Sequence, residues 1–175
     1  MTTFFDLNDV ATALRTARAE GRPIDAPTKT WSSLNAHMAF KVQQISSEHA
    51  IQHGGRQHCK DKFIRPVVVF EPACVLRSSL KGPNVTVADV ISAIDYAVPA
   101  IEIIDSRVKD WAIDLPDTLA DNGSTGAVII GGTPRKLTDL TLSNMRGFLK
   151  SNGEEVTSGS TKNILGNPLS AVVWW

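Results

Sequence analysis

Cysteine is scarce. The chain holds two, Cys59 and Cys74, with no CxxC pair, and two isolated thiols do not make a disulfide framework. An excess of either charge is also missing, because 18 Lys and Arg residues meet 18 Asp and Glu. That balance argues against the clustered basic surface that nucleic-acid binding needs. No apolar run approaches the ~20 residues that span a bilayer. The first residues, MTTFFDLNDV, carry no basic n-region ahead of an apolar stretch, so they do not read as a secretory signal. Repeats and low-complexity segments are absent too. What remains is the profile of a cytoplasmic globular protein. Its 175 residues are enough for one domain with a real core, or for a domain plus a small arm.

Helical periodicity opens the chain. Asp6 or Asn8 can cap a helix carrying Leu7, Val10 and Leu14 at helical spacing, and Gly21 with Pro23 ends it. Gly21 to Trp31 reads as a Pro-rich connector. A second helix is predicted after Ser32 and Ser33, with Leu34, Met38, Val42 and Ile45 on one face and Gly54-Gly55 at its end. His49 and His53 share a face of it, and His58-Cys59 lies just beyond. These four could form a zinc cluster. The segment lacks the glutamate of an HExxH, and a solvated helix end with incidental histidines is the competing reading.

Strands dominate the rest. Val67 to Leu76, VVVFEPACVL, reads as a buried strand with Val69, Glu71, Ala73 and Val75 on one face. Pro72 cannot donate to a ladder and marks an edge or a bulge. Thr86 to Asp89 resembles a capping box, opening a helix whose buried stripe would be Val87, Val90, Ile91 and Ile94. Ala127 to Ile130 is a short apolar strand closed by Gly131-Gly132, and Leu140 and Leu142 alternate with polar residues further on. Asn152-Gly153 is a two-residue hairpin turn of the primed type. Asn167-Pro168 reads as an N-cap with proline at the first helical position, ahead of Leu169, Val172, Val173 and the closing Trp174-Trp175.

The chain is organised around Ala97 to Asp121, AVPAIEIIDSRVKDWAIDLPDTLAD. Glu102 sits inside its apolar run, sharing a strand face with Ala100 and Ile104. A carboxylate there is costly unless it is paired, hydrogen-bonded or bound to a cation. Two readings stand side by side: an ion pair with Arg107 or another base, and one ligand of a hard-cation site. Glu71 is a second carboxylate in an apolar strand. If the two strands are neighbours, both carboxylates come within reach of one ion.

The stretches EPACVLRSSLKG, PAIEIIDSRVKDW, DTLADNGS and NGEEVTSG…LGNPLSAVVWW, with LRTARAEGRPIDAPT and AFKVQQ before them, resemble the 2-keto-4-pentenoate hydratase / 4-oxalocrotonate decarboxylase family of the fumarylacetoacetate hydrolase superfamily. The resemblance implies an α+β fold, with amino-terminal helices (1–65) packed on a mixed β-roll (66–175). The roll would lack its carboxyl-terminal strands, and a segment before Pro66 would be shortened. It implies a divalent metal, Mg2+ or Mn2+, held by an E-x-E pair and a later glutamate. Glu71 matches the second member of that pair and Glu102 the later glutamate, while the first member falls on Val69. Lys62, with Lys60 as runner-up, takes the place of a catalytic lysine, and Ser124 that of a catalytic serine in the Asp-Asn-x-Ser loop.

The implied activity is hydration of a short unsaturated 2-keto acid of the 2-hydroxypenta-2,4-dienoate / 2-oxopent-4-enoate type, in catabolism of meta-cleavage products. A 4-oxalocrotonate-type decarboxylase on the same scaffold is the alternative, as is a non-catalytic truncated paralogue. The implied partners are a second copy of the chain or a related hydratase or decarboxylase subunit.

Overall fold

The structure, a computed structural model, describes residues 5–53 and 63–174. Its elements are α1 (Leu7–Glu20), α2 (Pro27–Thr30), α3 (Ala36–Gln52), β1 (Val67–Leu76), α4 (Val87–Ala93), β2 (Ile94–Ile104), α5 (Leu115–Ala120), β3 (Thr125–Ile130), β4 (Arg146–Ser151), β5 (Glu154–Ser160) and α6 (Pro168–Trp174). This is an α+β protein. Three strands form one sheet in the order β1-β2-β3, and β4 and β5 form a second. The chain divides into two compact units, Met1–Val68 with Ile103–Ala127, and Val69–Glu102 with Val128–Trp175. Residues 103–127 thus fall in the same compact unit as the amino-terminal helices.

In the first unit, Asp6 caps α1 by accepting from the Asn8 N–H at 2.8 Å, and Gly21 ends it with φ of 63°, a conformation glycine adopts without a Cβ penalty. Val10 and Leu14 of α1 bury against Leu34, Ala39 and Val42, and against Leu119 and Ala120 of α5. Asn35 caps α3 by accepting from the Met38 N–H at 3.0 Å, so the helix starts later than Ser32-Ser33 would place it. The connector is not featureless. Pro27 opens the single turn of α2, and Asp117 of α5 fixes it by accepting from the Thr28 N–H at 2.7 Å and the Thr28 hydroxyl at 3.0 Å.

In the second unit the capping box is present. Thr86 Oγ1 accepts from the Asp89 N–H at 3.2 Å, and Asp89 accepts from the Thr86 N–H at 2.8 Å. The stripe is narrower than the sequence implies, because α4 spans only seven residues and Ile94 already begins β2. Val90, Ala93 and Ile94 are buried, and Val87 and Ile91 fall off that face into solvent. Val90 and Ile94 pack with Leu142 and Leu169. The chain after Gly132 makes single 3-10 turns at Leu137–Asp139 and Leu142–Asn144, so the alternation at Leu140 and Leu142 is no strand. The hairpin β4–β5 turns at Asn152 and Gly153, both at positive φ, as a primed turn requires. Asn167 accepts from the Leu169 N–H at 3.0 Å to start α6.

β1 departs from expectation. Val67, Val68, Phe70 and Leu76 are exposed, and the remaining apolar side chains of the strand are half-buried. The cause is its position: β1 is the edge of a three-stranded sheet, and Cys74 is the one residue of β1 that joins the buried cluster beside α4 and α6. Apolar alternation reports a capacity for burial, and here little of the described chain packs over the strand.

Candidate functional site

Glu71 on β1 and Glu102 on β2 lie on neighbouring strands of one sheet. Glu102 is half-buried, and Glu71 keeps much of its surface in solvent. Even so, desolvation by the surrounding chain pushes the Glu71 carboxyl above the ordinary glutamate range, and the Glu102 charge pushes it the same way. Two like charges close enough to perturb one another make a weak cation site by themselves. Val69 shares the face of Glu71, two residues earlier on the strand, and supplies no donor. Among the described residues, no group of three or more His, Cys, Asp or Glu side chains is arranged to hold a metal ion.

A second polar cluster lies in the first unit, around Arg107. This side chain is 4 % exposed, and each nitrogen of its guanidinium donates at least one hydrogen bond. Nε meets Asp121 Oδ1 at 2.5 Å, Nη2 donates to the Asp121 carbonyl, and Nη1 donates to the carbonyls of Asp105 and Thr125, both at 2.9 Å. The cation weighed as a partner for Glu102 is therefore committed to Asp121. Burial raises the Asp121 carboxyl above the usual carboxylate range, while Arg107 and then the Ser124 hydroxyl pull it back down. Asp105 accepts from the backbone N–H groups of Ile64 and Arg65 and so anchors the chain entering β1.

Ser124 belongs to this cluster. It is buried, sits at φ of 58°, and donates to Asp121 Oδ2 at 3.2 Å. Its hydroxyl thus supports the Arg107–Asp121 pair. Lys62 and Lys60 lie outside the described residues, as do His58 and Cys59 of the zinc reading. His49 and His53 stack face to face with ring centroids 4.1 Å apart, and His53 Nδ1 lies 2.8 Å from the His49 carbonyl. Sequence reading missed Asp105, Asp117 and Asp121 as organising residues. The signal was the repeated acidic spacing of DSR and DTLAD, which reads equally well as a solvated loop.

No family model matches the chain. Among curated proteins it is 42 % identical over 120 residues to the TodF product hydratase of Pseudomonas putida strain F1, covering 69 % of this chain and 45 % of that one. In that match, and in one to 2-keto-4-pentenoate hydratase 1 of Dechloromonas aromatica, the chain spans less than half of the relative's length, 45 % and 43 %. A longer alignment, to 2-keto-4-pentenoate hydratase of Burkholderia vietnamiensis, runs at 33 % identity over 202 residues, covering 94 % of this chain and 77 % of that one. The fold is similar to 4-oxalocrotonate decarboxylase from Pseudomonas putida G7, solved with magnesium and adipate. The TM-score is 0.85 at 25 % identity, covering 97 % of this chain and 80 % of that one. At this identity and coverage, the chain belongs to the 2-keto-4-pentenoate hydratase family.

Proposed function

We propose that this chain is a metal-dependent hydratase adding water to a short unsaturated 2-keto acid of the 2-oxopent-4-enoate type. The observation that carries the reading is the pair Glu71 and Glu102 on neighbouring strands, where desolvation first, and then repulsion by Glu102, raises Glu71. A divalent cation between them would relieve that repulsion, and carboxylate oxygens suit Mg2+ or Mn2+. The fit is partial because Val69 presents methyl groups where a third carboxylate would complete the set. The site is therefore a weakened one, with water filling more of the coordination sphere.

A bound cation would supply Lewis acidity toward the carboxylate and 2-oxo oxygens of the keto acid. Glu71 and Glu102 would hold it, and Glu102 is the more buried of the two. Ser124 is assigned a positioning role through Asp121 and Arg107, since its hydroxyl is already spent on Asp121. Lys62, with Lys60 as the alternative, takes the place of the catalytic lysine on the resemblance.

The scaffold is read as a β-roll of the fumarylacetoacetate hydrolase type, shortened internally. One observation supports the internal shortening: the alignment of 202 columns is longer than this 175-residue chain, so gaps fall within it. Decarboxylation on the same site is the second reading, favoured by the likeness to 4-oxalocrotonate decarboxylase. An assay of 2-hydroxypenta-2,4-dienoate consumption in excess Mg2+ or Mn2+ tests the proposal. We expect slow, metal-dependent hydration that Glu102→Gln abolishes. Turnover that survives chelation would refute it.

A further inference from the structure

A cavity of about 280 Å³ opens in the first unit, bounded by α1, α3 and the turn after α5. It contains neither Glu71 nor Glu102. Arg15 of α1 lines it. One end of the Arg15 guanidinium, Nη2, donates to Thr12 Oγ1 at 2.8 Å. The other, Nη1, is buried and has no hydrogen-bond partner among the described residues. Buried polar atoms are nearly always satisfied, so an orphaned guanidinium nitrogen calls for an explanation. A ligand oxygen would supply one.

The rest of the lining defines that ligand. Arg18 brings a second guanidinium, anchored by Nη2 to the Gly126 carbonyl at 2.6 Å. Among the described residues of the lining Asp121 is the one acidic residue, and Arg107 neutralises it. Ser46 and Ser47 add hydroxyls, and Asn122 spends its carbonyl oxygen on Gln43 Nε2 at 2.8 Å, which leaves its amide N–H groups as donors. His49 stands at the wall with its pKa lowered, first by desolvation, then by His53 and Arg15. The site is therefore rich in donors, with positive charge at Arg15 and the Asp121 carboxylate already paired. Leu14, Ala50 and Ala120 complete it with apolar surface, which inorganic anions do not need and a carbon chain does.

We infer that this cavity binds a short aliphatic carboxylate, its head on Arg15 Nη1 and its chain against Leu14, Ala50 and Ala120. The planar guanidinium fork matches a carboxylate, and a charge-assisted bond made away from water is among the stronger polar contacts.

The test is calorimetric titration of the full chain with sodium butyrate at constant ionic strength. EDTA is present throughout, so the outcome is independent of the divalent-metal proposal. Butyrate should bind with one site per chain, and 1-butanol should give no saturable heat. Arg15→Met should weaken butyrate about tenfold or more, the size expected for one charged hydrogen bond. Arg15→Lys should fall between, and Glu102→Gln should bind as wild type does. Circular dichroism melting of each variant verifies that it is folded. Absence of butyrate binding by the folded wild type would overturn the inference. So would unchanged binding by Arg15→Met, or inorganic phosphate binding as tightly as butyrate.

Discussion

Replacing Arg107 with methionine should remove a large part of the stability of the first unit. The side chain is almost wholly buried and makes four hydrogen bonds through its guanidinium, two of them to Asp121. Methionine fills much of the volume and supplies no donor. Asp121 would then keep only the Ser106 and Ser124 hydroxyls and the residue-107 N–H, too little for a buried charge. Breaking a buried pair by removing one partner costs about 3–5 kcal/mol. The carbonyls of Asp105, Asp121 and Thr125 lose donors as well, at about 1–3 kcal/mol for each that stays dry. These terms share partners and do not add fully. A loss of about 4 kcal/mol or more is expected, against a total of about 5–15 kcal/mol for an ordinary domain. Arg107→Lys should recover little, because one ammonium cannot reach both Asp121 and the two flanking carbonyls. Arg107→Met with Asp121→Asn should recover part by removing the orphaned charge. Urea denaturation followed by circular dichroism measures all three. A loss below about 1 kcal/mol for Arg107→Met would refute the reasoning, since water would then have to reach Asp121.

Three other changes have definite outcomes. Asp117→Ala should lower the urea midpoint by the equivalent of about 1–3 kcal/mol, because it strips acceptors from the Thr28 N–H, the Thr28 hydroxyl and the Asp114 N–H. Gly131→Ala should cost a similar amount by overpacking, since a Cβ there would stand 2.7 Å from the Pro99 carbonyl oxygen; unchanged melting would show that this strand contact gives way. His49, lowered from 6.5, should titrate below that value by NMR. The unfolded chain then binds the proton more readily, so this group costs nothing above pH 6.5 and destabilises the fold as pH falls from there toward the depressed folded value. A midpoint at or above 6.5 would contradict the assigned surroundings.

Local chemistry was legible in the sequence. Asp6 with Gly21, Thr86 with Asp89, Asn152 with Gly153, and Asn167 before Pro168 each act within a few residues, and each does what its side chain or backbone freedom dictates. Two apolar runs interrupted by carboxylates marked the strands of Glu71 and Glu102, and the sheet order makes those strands neighbours. Long-range partners were not legible. Asp117 holds Thr28 from 89 positions away, and Asp105 holds Ile64 from 41 away, with nothing in either local pattern to announce it. Arg107 could have served Glu102 or Asp121 on spacing alone; burial of the whole Asp105–Arg107–Asp121 cluster decides for Asp121. The exposure of β1 was hidden for the opposite reason, since the apolar pattern of a strand is the same whether or not anything covers it.

The proposed cation site of Glu71 and Glu102, weakened by Val69, has a direct test. Calorimetric titration of Mn2+ into wild type, Glu102→Gln and Val69→Glu tests it most directly, each variant first verified as folded. Weak saturable binding by wild type and none by Glu102→Gln are expected. Val69→Glu should bind at least about tenfold more tightly, since even the loss of an outer partner typically costs 10–100-fold. Tight wild-type binding left unchanged by both substitutions, or no binding by folded wild type and Val69→Glu alike, would contradict it.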